Sequence, residues 1–105
     1  MIQKNILSLV ESYKKKLKKA KIPLTAVYIF GSAAKGSMHK GSDIDVCIVS
    51  PLFGKNRQEE RLYLMKLQKG ITDLIEPHPF SPEDFIDKYN LLGKEIRRYG
   101  LMLSG

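Results

Sequence analysis

Apolar residues near the start of the chain return at three- and four-residue steps. Ile2, Ile6, Leu9, Val10, Tyr13, Leu17 and Ala20 fall on one helical face. This predicts an amphipathic helix over 2–20, stopped by Pro23, with too short a seam for a coiled coil and therefore packed on a sheet. AVYIF (26–30) reads as a buried strand, GSAAKG (31–36) breaks it, and SMHKGS (37–42) is a polar loop. DIDVCIVS (43–50) alternates, with Ile44, Val46 and Ile48 on one face and Asp43, Asp45 and Cys47 on the other.

The second half predicts a surface helix over 57–69 ending at Gly70, and a strand over 71–78 cut by Pro77 and Pro79. Ser81-Pro82-Glu83-Asp84 is a helix start, with Ser81 as the cap, Pro82 in the first position and acids in the first turn. That helix is expected to run to Tyr99 with a kink near Asn90, and 100–105 adds a short edge strand or frays. The order of elements predicts an α/β (α+β) fold with a small mixed sheet and helices on one face.

With 105 residues, the chain has room for one domain over 1–105. Apolar runs are only a few residues long, so no membrane span is expected, and the polar N-terminus does not read as a signal peptide. The single cysteine, Cys47, excludes an internal disulfide, which points to a reducing, cytoplasmic location. One cysteine and two histidines, His39 and His78, are too few for a structural zinc site.

A net charge of +7 invites a nucleic-acid reading, but Lys14, Lys15, Lys16, Lys18, Lys19 and Lys21 supply six of those charges. The remainder is close to neutral, so the picture is one basic patch on the first helix. Its bland reading is a solvated helix face, and its functional reading is contact with RNA or an acidic partner. No aromatic residues interleave with it to stack bases.

The chemistry concentrates in 31–45. Asp43 and Asp45 share one face of an otherwise apolar strand, roughly 7 Å apart by the strand rise. Two carboxylates so placed are unfavourable unless a cation neutralises them, and a divalent ion of the Mg²⁺ kind, with Mn²⁺ as the alternative, fits that need. Gly31 permits close backbone approach to a ligand, and Ser32 with the N–H groups after it can hold a polyphosphate at a helix start. Taken singly, a strand-end Gly-Ser is usually a plain turn and an Asp-x-Asp pair a solvated edge. Together they suggest phosphoryl or nucleotidyl transfer.

Gly31-Ser32 followed after ten residues by Asp43-x-Asp45 resembles the signature of the nucleotidyltransferase superfamily that includes DNA polymerase β and the kanamycin nucleotidyltransferases. More closely, GSAAKGSMHKGSDIDV is similar to the corresponding segment of the minimal nucleotidyltransferases, with Gly31, Ser32, Ala34, Gly36, Ser42, Asp43, Ile44 and Asp45 in register. Lys35 departs from the commoner Arg, keeping the charge and losing the planar fork. The resemblance implies a nucleotidyltransferase fold and Mg²⁺-dependent transfer of a nucleoside monophosphate from an NTP, ATP first. It implies that Gly31, Ser32, Lys35, Gly36 and Ser42 contact the nucleotide.

The resemblance also implies a third carboxylate from a neighbouring strand, which Asp73 or Glu76 could supply. Asp73 shares the parity of Ile75, the residue expected to face the helices, whereas Glu76 shares a face with His78 and is favoured. The metal set is then Asp43, Asp45 and Glu76. His78 could meet a phosphate, but a strand-end histidine between prolines is commonly structural. His39 and Lys40 could reach a triphosphate from the loop, and Cys47 reads as a small packing residue.

Minimal members resemble one half of a two-protein system, completed by a helical partner of the HEPN type, as in toxin–antitoxin pairs. The implied acceptor is a hydroxyl on such a partner. The rival readings are a non-catalytic neutralising module of such a pair and an RNA-binding protein using Lys14–Lys21. A homodimer is a further expectation, since a small domain without a second half leaves an apolar face.

Overall fold

A computed structural model of the chain describes residues 3–36 and 43–103. The first helix, α1 (Lys4–Lys19), is followed by β1 (Ala26–Phe30), a short helix α2 (Ser32–Lys35) and β2 (Ile44–Val49). Then come α3 (Arg57–Leu67), β3 (Ile75–Phe80), α4 (Pro82–Ile86), α5 (Leu91–Tyr99) and β4 (Leu101–Leu103). The four strands form one mixed sheet in the order β3-β2-β1-β4. β1 runs antiparallel to both β2 and β4, while β2 and β3 are parallel.

The alternation read in the sequence sets the two faces. Val27, Ile29, Ile44, Val46, Ile48 and Ile75 pack with Ile6, Val10, Tyr13 and Leu17 of α1 and Leu64 of α3. Tyr13 is fully buried, and its hydroxyl donates to the Leu64 carbonyl at 2.9 Å, tying the two helices together. On the other face, Phe30, Cys47, Val49 and Phe80 pack with Phe85 of α4 and Ile96 of α5. The expectation of helices on one face therefore holds for α1 and α3, whereas α4 and α5 cover part of the opposite face.

Two boundaries differ from the sequence expectation. The third strand is not cut by its prolines: it starts at Ile75, four residues later than expected, and runs through Pro77 and Pro79 to Phe80. The carbonyls of Leu74 and Phe80 accept from Ile44 and Ser50 on the β2 side, at 2.7 and 3.0 Å. By alternation, the even-numbered residues turn their backbone groups to β2, and the prolines turn their missing N–H to the open edge. Proline is compatible with a strand in that position.

The helix expected from Ser81 to Tyr99 is two helices rather than one kinked one. Ser81 does cap α4, its Oγ accepting from Asp84 N at 3.1 Å, with Pro82 in the first turn. Asp87 then takes an extended backbone, and the Asn90 side chain caps α5 by accepting from Gly93 N at 3.1 Å. An added Cβ at Gly93 would lie 2.7 Å from the Phe85 carbonyl, so glycine lets α5 cross close to α4. Arg97 secures the crossing by donating to that same carbonyl. Among the described residues no helix is long and apolar enough to cross a membrane.

Candidate active site

Asp45 and Glu76 face each other across the parallel β2–β3 pairing, and His78 stands two residues further along β3. Each of the three offers a donor atom within 4.8 Å of the others. His78 Nε2 lies 3.2 Å from Asp45 Oδ1, and the His78 ring meets Phe30 edge-on with centroids 4.9 Å apart. The cluster opens to solvent: the side chains of Asp45, Glu76 and His78 are 27%, 32% and 19% exposed. Burial raises the Asp45 carboxyl above its ordinary range, the His78 hydrogen bond and charge oppose the rise, and the Glu76 and Asp43 charges add to it.

Gly31 closes the site from β1. Its φ of 70° and ψ of −149° suit glycine, and an added Cβ would fall 2.5 Å from Asp45 Oδ2. Ser32 begins α2, whose first N–H groups have no intrahelical acceptor. Gly36 ends α2 in the left-handed region at φ 72°. Lys35 is exposed and, with Phe30, Gly31, Glu95 and Tyr99, lines a small cavity of about 30 Å³ beside the Gly31 turn.

Glu76 is anchored twice over. Upstream, Gln68 Nε2 donates to the carbonyls of Thr72 and Ile75, at 3.1 and 2.9 Å, fixing where β3 begins. At its head, Arg61 of α3 donates from a terminal guanidinium nitrogen to Glu76 Oε1 at 2.9 Å. The N-terminus of α3 is held in turn by Glu60, whose carboxylate accepts from the backbone of Gly54, Lys55 and Asn56.

Of the residues expected from sequence, the fold brings together Gly31, Asp45 and Glu76. Asp43 is exposed just before β2 and stands outside the three-donor cluster, although its charge still reaches Asp45. Asp73 is exposed and borders a groove with Leu62, Met65, Lys66, Gln68 and Lys69 of the α3 region, away from the cluster. Ser42, His39 and Lys40 lie outside the described residues. Cys47 is fully buried behind Asp45, its thiol pushed up to about 12 by burial, as suits a packing residue.

The lysine-rich stretch is not one surface. Lys14 is buried against the core and pairs with Glu11 at 3.8 Å. Lys15, Lys16, Lys18 and Lys19 border a shallow depression with Ser12 and Ile71, and Lys16 donates to the Lys69 carbonyl at 2.6 Å. Since α1 packs on the sheet face opposite Asp45, these charges stand behind the site. A polar cleft of about 430 Å³ lies at the far end of β3, between Lys55, Arg57, Asp84, Asp87 and Tyr89.

Two partners of the carboxylates are not expected as such from sequence: His78 reads as a phosphate contact or a structural residue, and Arg61 only as part of a surface helix. His78 is within reach of such a reading, because it shares the parity of Glu76. Arg61 is not, because nothing in a helical sequence says which strand residue it will overhang.

The chain matches the nucleotidyltransferase domain family over residues 10–95 and belongs to it. Its enzyme class is therefore nucleotidyl transfer. No curated protein matches the chain by sequence. Among solved structures it is similar to a candidate nucleotidyltransferase from Sulfolobus solfataricus, at 21% identity and a TM-score of 0.63 over 92% of this chain and 78% of that one. It is also similar to a toxin–antitoxin structure with AMP-PNP, at 24% identity and a TM-score of 0.59 over 90% of this chain and 73% of the other. These likenesses confirm the nucleotidyltransferase fold.

Proposed function

We propose that the protein transfers a nucleoside monophosphate, AMP from ATP in the first instance, to a hydroxyl on a macromolecular acceptor. The observation that carries the reading is the lateral pairing of Asp45 with Glu76, closed from β1 by a glycine that leaves room for nothing larger than hydrogen beside Asp45. Two half-exposed carboxylates in reach of each other suit a divalent cation of the Mg²⁺ or Mn²⁺ kind, and Asp43, whose charge reaches Asp45 from the start of β2, is the further oxygen ligand we propose. Such an ion, when bound, supplies charge neutralisation for the leaving pyrophosphate.

The chain's own residues then have separable tasks. Gly31 and Ser32 offer backbone N–H groups to the triphosphate, with Lys35, Gly36 and Ser42 around them. Asp45 and Glu76 would hold the ion, whose charge would stabilise the triphosphate beside them. The acceptor oxygen bonds to the α-phosphorus as the bond to the bridging oxygen of pyrophosphate breaks, and the hydroxyl proton passes to solvent. The open mouth of the site favours an acceptor presented by another macromolecule. A helical HEPN-type protein is the partner we propose, supported by the minimal-domain motif and by the likeness to a toxin–antitoxin structure.

One observation favours a different reading. Both carboxylates already have side-chain partners, Arg61 for Glu76 and His78 for Asp45, as a non-catalytic neutralising module would need. Label transfer separates the two. With α-phosphate-labelled ATP, Mg²⁺ and host lysate, the intact protein should label an acceptor band, and Asp43→Asn/Asp45→Asn should not. Protease or ribonuclease digestion then tells protein from RNA. Glu76→Gln should abolish transfer and Asp73→Asn should spare it; the reverse ranking would reassign the third carboxylate. No band with any NTP or with Mn²⁺ would favour the neutralising module.

A further inference from the structure

We infer that the cation at this site is held by a nitrogen as well as by oxygens, His78 Nε2 joining Asp45 and Glu76, and that the site therefore prefers Mn²⁺ and similar transition-metal ions to Mg²⁺. The inference rests on the proposed nucleotidyl-transfer reading and specifies the ion.

The geometry comes first. Two ligands at right angles around an ion about 2.1 Å away sit about 3 Å apart. His78 Nε2 and Asp45 Oδ1, at 3.2 Å, already have that separation. Glu76 lies within 4.8 Å of both, so a rotation of its side chain completes three donors on one side of an ion. Arg61 engages Glu76 Oε1, leaving the second oxygen of the carboxylate for the ion without breaking that pair.

The histidine is also held where a ligand must be. Its ring is braced edge-on by Phe30, the residue paired with Asp45 across β1 and β2. Its backbone lies between Pro77 and Pro79, whose rings fix φ on either side. The ring turns its Nε2 to the Asp45 carboxylate rather than to solvent alone.

Chemistry then selects the ion. Mg²⁺ favours oxygen donors and retains its waters, whereas imidazole suits borderline transition ions, and two carboxylates with one histidine leave positions open for substrate oxygens. A purely oxygen-lined site would show a much weaker preference.

The test reads the ligand directly. The full chain, stripped of metal with a chelator, is titrated with Mn²⁺ and separately with Mg²⁺, without nucleotide, by calorimetry. The Mn²⁺ complex is then examined by pulsed electron paramagnetic resonance for nitrogen modulation from a coordinated imidazole. That modulation is expected in the wild-type protein, which keeps the test independent of how any variant folds. His78→Gln should abolish it and weaken Mn²⁺ binding by at least about tenfold, with a smaller loss for Mg²⁺.

Bound Mn²⁺ without nitrogen modulation would overturn the inference, as would equal weakening of both ions in His78→Gln. Nucleotidyl transfer would survive either result if Asp45→Asn still abolished metal binding and label transfer. Absence of any metal binding in the wild-type protein would overturn both the inference and the reading on which it rests.

Discussion

Gly31 and Asp45 are mutually exclusive in volume: a Cβ at Gly31 would stand 2.5 Å from Asp45 Oδ2. The glycine sits at φ 70° and ψ −149°, close to a region essentially reserved for glycine, so backbone and neighbour make the same demand. Gly31→Ala should destabilise the fold by about 1–3 kcal/mol in urea unfolding. Because the new methyl also displaces the carboxylate, label transfer should fall by about a hundredfold or more even where the protein is fully folded. Unchanged transfer in a folded Gly31→Ala protein would show that Asp45 need not hold its place.

Asp45 makes stability depend on pH in a direction opposite to that of an ordinary paired acid. Burial raises its carboxyl in the folded chain, so the folded state binds the proton more tightly than the unfolded one. Metal-free stability from this group is then lost as pH rises from the usual carboxylate value through the raised one, and is level above it. Asp45→Asn removes the loss while keeping an oxygen for His78. Thermal melts in chelator, from roughly pH 4 to pH 8, should show the wild-type protein losing stability relative to Asp45→Asn across the acid part of that range. Added divalent metal at neutral pH should raise the wild-type melting temperature and leave the variant unmoved.

Arg61 sets a fixed positive charge beside Glu76, on the oxygen the ion does not need. The pair is 2.9 Å long, but the two side chains are 45% and 32% exposed, so solvent screens it. Arg61→Ala should change folding stability by less than about 1 kcal/mol. Removing the fixed positive charge should raise affinity for Mn²⁺ by up to about fivefold in calorimetry, the equivalent of about 1 kcal/mol. A clear fall in affinity would mean instead that Arg61 is needed to aim the carboxylate.

Pro77 and Pro79 turn no N–H to the open edge of β3, which deprives a neighbouring chain of donors there. Replacing both with Val restores two donors to this edge strand. The double variant should remain folded and should self-associate with rising concentration in sedimentation experiments more than the wild-type protein does. Equal behaviour of the two proteins would remove the prolines' protective role.

Much of this fold is legible in the sequence because its signals are local. AVYIF and DIDVCIVS are continuous enough to be strands in any context, and the alternation of the second sorts Asp45 from Ile44 and Val46 by spacing alone. The Ser81-Pro82 start is equally plain, since a cap is built from residues four apart at most. The bounds of the third strand are not local in this sense. Proline is a breaker or a tolerated edge residue according to which neighbour its nitrogen faces, and only β2 lying on the other side decides that. The split between α4 and α5 looks like a kink in the sequence because Asn90 caps a helix only once Asp87 has left the helical backbone.

The same division runs through the site. The chain's local pattern determined that Gly31 ends a strand, that Asp45 lies on the face opposite Ile44 and Val46, and that Glu76 rather than Asp73 shares the face of His78. Parity along one strand is fixed by backbone geometry and is readable from spacing alone. The tertiary structure decided which of these groups meet: Asp45 joined Glu76 and His78 while Asp43 stayed at the rim, Arg61 reached Glu76, and the lysines of α1 were put behind the sheet. Those outcomes depend on the register between β2 and β3 and on which face each helix covers, and both are set by packing between segments far apart in the chain.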